Sequence, residues 1–143
     1  SGQILLGFDT NQNKAELDKA YMNAPHTRMS EDVLWRIIRD TDFELDPAWF
    51  EYRGQWIPKE HRYAQLLVAR QNCIVTSPRG VYRFKKGQTL NIDNSYKFPV
   101  DMLIKAATNA GWQPIHSWTN TGRVMYVLLR DSAAKKIYGL VSK

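Results

Sequence analysis

The sequence predicts an α+β fold in which an antiparallel-sheet section is framed on both sides by pieces of an incomplete α/β core. Three observations predict it. The chain opens on an unbroken apolar run, residues 4–8, apart from Gly7, closed by Asp9. Its middle breaks into short aromatic and β-branched segments separated by turn residues. From Pro99 a helical period returns and is followed by two more strand-like segments.

Taken in order, residues 4–9 have the pattern of a strand buried on both faces, as in a parallel sheet, and one such strand cannot be a whole sheet. Residues 14–21 predict a short helix packing Ala15, Leu17, Ala20 and Tyr21, with Pro25 as its stop. Ser30 is then the expected N-cap of a second helix, with Glu31 and Asp32 favourable in its first turn and Val33, Leu34, Ile37 and Ile38 as its buried stripe. Asp46-Pro47 starts a brief helical turn, since proline suits the first helical position. Tyr52, Gly54 and Trp56 alternate with Arg53 and Gln55 in a half-exposed strand that Pro58-Lys59-Glu60 ends. Residues 62–72 and 73–77 predict further strand, Pro78-Arg79-Gly80 a turn, and residues 81–84 with 89–95 a hairpin about Lys86-Gly87. In the helix after Pro99, Leu103, Ala106, Ala107 and Ala110 share one side and Gly111 takes the C′ position. Residues 112–118 and 124–129 pair around Asn120-Thr121-Gly122, and residues 131–143 fit either a helix over 133–138 or a loose tail.

With 143 residues, 43% hydrophobic and 12% aromatic, the chain has ample apolar material for a packed core. Twenty Lys+Arg against 14 Asp+Glu give a net charge of +6, which favours anionic partners. The basic residues are scattered, however, with tight pairs at Lys85-Lys86 and Lys135-Lys136, whereas nucleic-acid surfaces cluster charge on one face. The distribution therefore argues against a nucleic-acid partner. The single cysteine, Cys73, excludes an intramolecular disulfide, suits a reducing cytosol and reads as a core residue in Cys73-Ile74-Val75. No apolar run approaches the ~20 residues of a spanning helix, and no basic-then-apolar signal opens the chain, so a cytoplasmic protein without a membrane partner is expected. Ser1-Gly2, without an initiator methionine, is expected to mark a cut end.

The eight glycines form neither a G-x-G-x-x-G nor a Walker-type loop, so no self-contained nucleotide site is legible. His26, His61 and His116 lie far apart without H-x-x-x-H or C-x-x-C company, and no metal site is expected; spacing neither builds nor excludes a Cys-His or Ser-His dyad. The most suggestive stretch is residues 91–98: on a strand, Asn91, Asp93, Ser95 and Lys97 project to one face and Ile92, Asn94, Tyr96 and Phe98 to the other. Such a polar file is either a solvent-facing edge or a carboxylate and hydroxyl aimed into a pocket, able to hydrogen-bond a polar ligand.

Several segments, in order, resemble the C-terminal half of the histidine-specific methyltransferase family, whose best-known members trimethylate the α-amine of histidine in ergothioneine synthesis. Residues 4–9 resemble its late core strand and Lys19-Ala20-Tyr21 its "R-A-Y" segment, while Asp32-Val33-Leu34 falls where the family has "N-x-L". Residues 42–46 and 50–56 resemble its "F-D…F…H…W" stretch, and residues 92–98 its "T-E-x-S-x-K-[FY]" motif. Ala110-Gly111-Trp112 and Trp118-Thr119-Asn120 follow like its "A-G-[FL]…W…D", and the tail beyond Arg130 is uncovered.

The resemblance implies a Rossmann-like class I core that binds S-adenosylmethionine (SAM), with a substrate domain inserted before its last strands. Residues 3–10 would be a late core strand, 11–97 the substrate-recognition insert, 98–130 the closing helix and strands, and 131–143 a tail. The SAM-binding glycine loop belongs to the family's N-terminal half, so this chain by itself is expected to be inactive. Residue by residue, Tyr21 matches the family's tyrosine that hydrogen-bonds the substrate carboxylate, and Asp93 and Ser95 match the glutamate and serine that hold the imidazole. Asp93 is shorter than that glutamate by about one methylene, roughly 1.5 Å, enough to displace a hydrogen bond. Gln65 falls where the family places a side chain such as Met against the substrate, so histidine or a related aromatic amino acid, including an indole, is the implied substrate. These residues would position a neutral amine for in-line attack on the sulfonium methyl.

Two other readings stand beside this one. A non-catalytic module could hold single-stranded nucleic acid on Trp56, Tyr82, Phe84 and Trp118, although aromatics on alternating strands are more often core. An inactive relative of the methyltransferase fold could bind a protein partner. A bare apolar edge at residues 4–8 invites strand addition, so the chain is expected to cover it by self-association or rearranged pairing.

Overall fold

The structure, a computed structural model, describes residues 2–120 and 124–131. It is mixed α and β with antiparallel pairing: strand β1 (Gln3–Asp9), helices α1 (Lys14–Tyr21) and α2 (Ala24–Asp40), strands β2 (Phe50–Ile57), β3 (Arg62–Ala69), β4 (Cys73–Ser77), β5 (Gly80–Phe84) and β6 (Thr89–Tyr96), helix α3 (Val100–Asn109), then β7 (Trp112–Asn120) and β8 (Val124–Asp131). Single 3-10 turns at Pro47–Trp49 and Pro58–Glu60 flank β2. The described residues fold as two compact units, 13–95 and 2–12 with 96–120 and 124–131.

In the unit of residues 13–95, the Asn13 side chain opens α1 by accepting from the N–H groups of Ala15 at 3.0 Å and Glu16 at 3.3 Å. Leu17 anchors the helix against Trp56 and Tyr63. The second helix starts well before Ser30: Asn23 caps α2, Pro25 lies in its first turn, and Ser30 is buried within it, its hydroxyl donating to the His26 carbonyl at 3.0 Å. Proline lacks the N–H that a first turn leaves unpaired anyway, so Pro25 opens this helix rather than stopping the one before.

Strands β2 and β3 pair antiparallel along their whole length, Phe50 opposite Ala69 and Ile57 opposite Arg62, and β6 joins on the far side of β3. Strands β4 and β5 make a separate antiparallel hairpin, Cys73 opposite Phe84 and Ser77 opposite Gly80. The hairpin expected between residues 81–84 and 89–95 does not form. Lys86-Gly87 instead passes the chain from one sheet to the other, with the Gly87 N–H donating to the Ala69 carbonyl at 2.7 Å and the Ala69 N–H to the Gln88 carbonyl at 2.9 Å. Gly87 sits at φ 83°, which glycine adopts without the Cβ penalty. Leu34, Phe50, Leu67, Cys73 and Val75 gather into the larger core of this unit. Burial there pushes the Cys73 thiol pKa up, as suits a packing residue.

In the other unit the strand order is β1-β8-β7, with both outer strands antiparallel to β8 and therefore parallel to each other. Phe8, Ile104, Ala107 and Trp112 close over the fully buried Val127, so α3 packs on this sheet. Gly111 ends α3 at φ 86°, the left-handed stop that the sequence predicts. The expectation for β1 is corrected in two respects: its pairing among the described residues is antiparallel and one-sided. Its faces are not both covered either: Leu5 is 61% exposed and Leu6 36% exposed, where a strand buried on both faces was expected. The predicted turn at Thr121-Gly122 and the tail of residues 132–143 lie outside the described residues. Among those described, no helix is long and apolar enough to cross a membrane.

Candidate functional site

Tyr21 closes α1, and the burial of Leu17 against Trp56 and Tyr63 lays that helix on the β2–β3 pair. The Tyr21 ring stacks on Tyr63 with centroids 4.6 Å apart and planes 20° from parallel. Its hydroxyl lies 2.7 Å from Ser95 Oγ on β6. Its carbonyl accepts from the Tyr52 hydroxyl of β2 at 3.1 Å. The same Tyr52 hydroxyl is 3.4 Å from Gln65 Oε1 on β3, and Gln65 Nε2 donates to Asp93 Oδ2 on β6 at 2.7 Å. Tyr21, Gln65, Asp93 and Ser95, drawn from three elements, thus meet in one hydrogen-bonded group with Tyr52 as the link.

The chemistry of this group follows from its donors. Tyr52 carries one hydroxyl proton, so the carbonyl at 3.1 Å is its main acceptor and the 3.4 Å contact is weak. Burial first, then the neighbouring Tyr21 and Asp93, push the Tyr52 pKa up, which keeps that proton in place at neutral pH. Gln65 is 2% exposed, and its amide is oriented by its two neighbours, nitrogen to the carboxylate and oxygen to the phenol. A buried amide left unpaired would cost about 1–3 kcal/mol, so the pairing matters. A carboxylate only accepts, so Asp93, on the exposed side of Gln65, is fitted to receive a further N–H or O–H.

Beneath Tyr21, Tyr63 is fully buried and donates to Asp18 Oδ1 at 3.0 Å. Burial and the Asp18 bond push its phenol pKa up well above the ordinary tyrosine value. Asp18 also pairs with Lys14, whose hydrogen bond lowers the Asp18 pKa against the opposing effect of burial. Gly54 makes room for the ring: a Cβ there would stand 2.5 Å from Tyr63 Cε1 and 2.7 Å from its hydroxyl.

The rest of the polar file divides. Asn94, placed by the alternation on the opposite face, accepts from Arg62 and from Asn91 Nδ2. Lys97 is buried in the other unit, 3.2 Å from Asp9 Oδ2, and its carbonyl accepts from Gln12 Nε2 at 3.2 Å. Of the four aromatics considered as stacking platforms, Trp56 is buried and Phe84 packs edge-on against Phe50, while Tyr82 and Trp118 are exposed. Among the described residues no three His, Cys, Asp or Glu side chains gather to hold a metal. Sequence reasoning passed over Tyr52 and Tyr63; the alternation of Tyr52 with Gly54 was a signal, but its partner strand was not legible.

A family model described as histidine-specific, SAM-dependent methyltransferase matches residues 1–131. No curated protein matches the chain.

Proposed function

Since the chain belongs to the histidine-specific, SAM-dependent methyltransferase family, we propose that residues 13–95 are its substrate-recognition module and that the other described residues are the closing strands and helix of a Rossmann-like core. Two features support the second part. Strands β1 and β7 run parallel on either side of β8, and the chain enters β7 from helix α3, which packs on their sheet as the helix before a parallel strand does in such a core. The apolar, one-sided β1 also suits a strand whose sheet continues beyond it.

The observation that carries the recognition role is the hydrogen-bonded group of Tyr21, Gln65, Asp93 and Ser95. The substrate is an amino acid with an aromatic nitrogen ring, histidine or a relative of it. Its carboxylate is held by the Tyr21 hydroxyl and its ring N–H by Asp93 and Ser95. Gln65 stands behind Asp93 and fixes the direction of the shorter carboxylate, as its 2.7 Å bond suggests. Together these groups hold the amine in place for attack, a contribution worth several kcal/mol in well-oriented systems, ~7–11 at the limit.

SAM supplies an electrophilic methyl group when bound. The described residues offer no glycine-rich strand-loop-helix segment to grip it. Asp9, the carboxylate ending β1, is already engaged by Lys97 at 3.2 Å and by the Asn11 N–H at 2.8 Å. The grip on SAM is therefore assigned to the N-terminal half of the family fold, and this chain by itself is inactive.

The test is calorimetric titration of the full-length gene product with histidine and then tryptophan, each with S-adenosylhomocysteine present, beside an Asp93→Ala variant. Histidine binding that is lost in the variant is the expected result. Wild-type protein that binds neither amino acid would overturn the reading.

A further inference from the structure

We infer that His26 is the general base of the reaction, the group that takes a proton from the substrate's α-ammonium. The inference rests on the placing of the amino acid against Tyr21 proposed above. An α-amine is largely protonated at neutral pH, and only the neutral form has a lone pair to attack with, so a proton has to leave before the methyl group is transferred.

The hydrogen bonds around Asn23 determine which nitrogen of His26 can accept it. Asn23 Nδ2 donates to the Ala20 carbonyl at 2.6 Å, and Asn23 Oδ1 accepts the His26 backbone N–H at 3.1 Å. Turning the amide over would set oxygen against carbonyl and NH2 against N–H, so its orientation is fixed. The same Oδ1 lies 2.8 Å from His26 Nδ1, which must therefore carry a hydrogen. In the neutral ring the lone pair is then on Nε2. The imidazole is half-buried and packs on Tyr21, with centroids 5.1 Å apart and planes inclined at 57°. The Ser30 hydroxyl, bonded to the His26 carbonyl at 3.0 Å, holds the turn that carries it. A proton acceptor of fixed tautomer thus stands beside the tyrosine that receives the amino-acid end of the substrate.

In the step, one N–H bond of the ammonium breaks and its electron pair stays on nitrogen as the lone pair. The proton bonds to Nε2, giving an imidazolium whose Nδ1–H still donates to Asn23. The freed lone pair is what the family's methyl transfer consumes, and the imidazolium returns its proton to solvent before the next turnover.

In the full-length gene product, His26→Asn keeps an amide donor for Asn23 near the Nδ1 position and removes Nε2. We expect kcat to fall by about 100-fold or more at neutral pH, with the Kd for histidine in the presence of S-adenosylhomocysteine unchanged. Long-range 15N–1H spectra of the wild type, with the His26 signals identified by their loss in the variant, should show the Nδ1–H tautomer. A variant that binds histidine and turns it over undiminished, or an Nε2–H tautomer at His26, overturns the inference alone. A wild type that binds neither histidine nor tryptophan overturns the substrate assignment and this inference with it.

Discussion

At Tyr63 one ring carries the floor of the candidate site: it stacks under Tyr21, bonds Asp18 and fills the gap left by Gly54. Its phenol pKa is raised in the folded protein, so the folded state keeps a proton that the unfolded chain loses. The resulting stability is complete below about pH 10, the unfolded value, and is lost as pH rises through the higher folded value. Tyr63→Phe should be less stable than wild type at neutral pH by about 1 kcal/mol, the value of one hydrogen bond, yet lose less stability on the alkaline side. Denaturation curves at neutral and alkaline pH check this, and curves that fall in parallel for both proteins would contradict it. Tyr52 shifts in the same direction, so the alkaline loss is reduced and not abolished. Tyr21, Gln65, Asp93 and Ser95 were legible only through the order of several short motifs, because no local period marks any one of them. Tyr63 and Tyr52 read as ordinary alternating strand residues. Their roles depend on the register that sets Gly54 opposite Gln65, which neither strand reveals alone.

Among the elements, α2 shows how two adequate local signals compete. Ser30 followed by Glu31 and Asp32 is as good a helix start as Asn23-Ala24-Pro25, and both occur within ten residues. The earlier start prevails because the Ser30 hydroxyl is satisfied inside a helix by the carbonyl four residues back, and Leu34 reaches the core from a helix of this length. Asn23→Ala should accordingly destabilise the protein by about 1 kcal/mol. A melting temperature unchanged by this substitution would show that α2 does not depend on its cap. The strands teach the same lesson. Pro78-Arg79-Gly80 and Lys86-Gly87 were both legible as turns, but which strands they join was not. The paired backbone bonds between Glu44 and Thr76, at 2.9 and 3.1 Å, tie β4 to a segment that no hairpin rule would select.

For the molecule as a whole, net charge and composition said little beyond the presence of a core, whereas the apolar run at residues 4–8, interrupted by Gly7, identified a strand, β1. With Leu5 and Leu6 exposed on a strand paired on one side, this chain by itself should self-associate. Light scattering should give a mass above that of one chain, and Leu5→Lys should lower it; a monodisperse monomer for the unaltered chain would contradict the prediction. The Lys97–Asp9 pair and the Gln12–Lys97 bond draw residues 9–12 together with the segment at residue 97. The chain thus departs from one unit and returns to it through a single doorway. A segment that begins and ends at the same doorway can be exchanged like a cartridge, because its replacement needs only two neighbouring joins and no rethreading of the strands outside. A unit mounted in this way is free to diverge while the sheet that carries it stays unaltered.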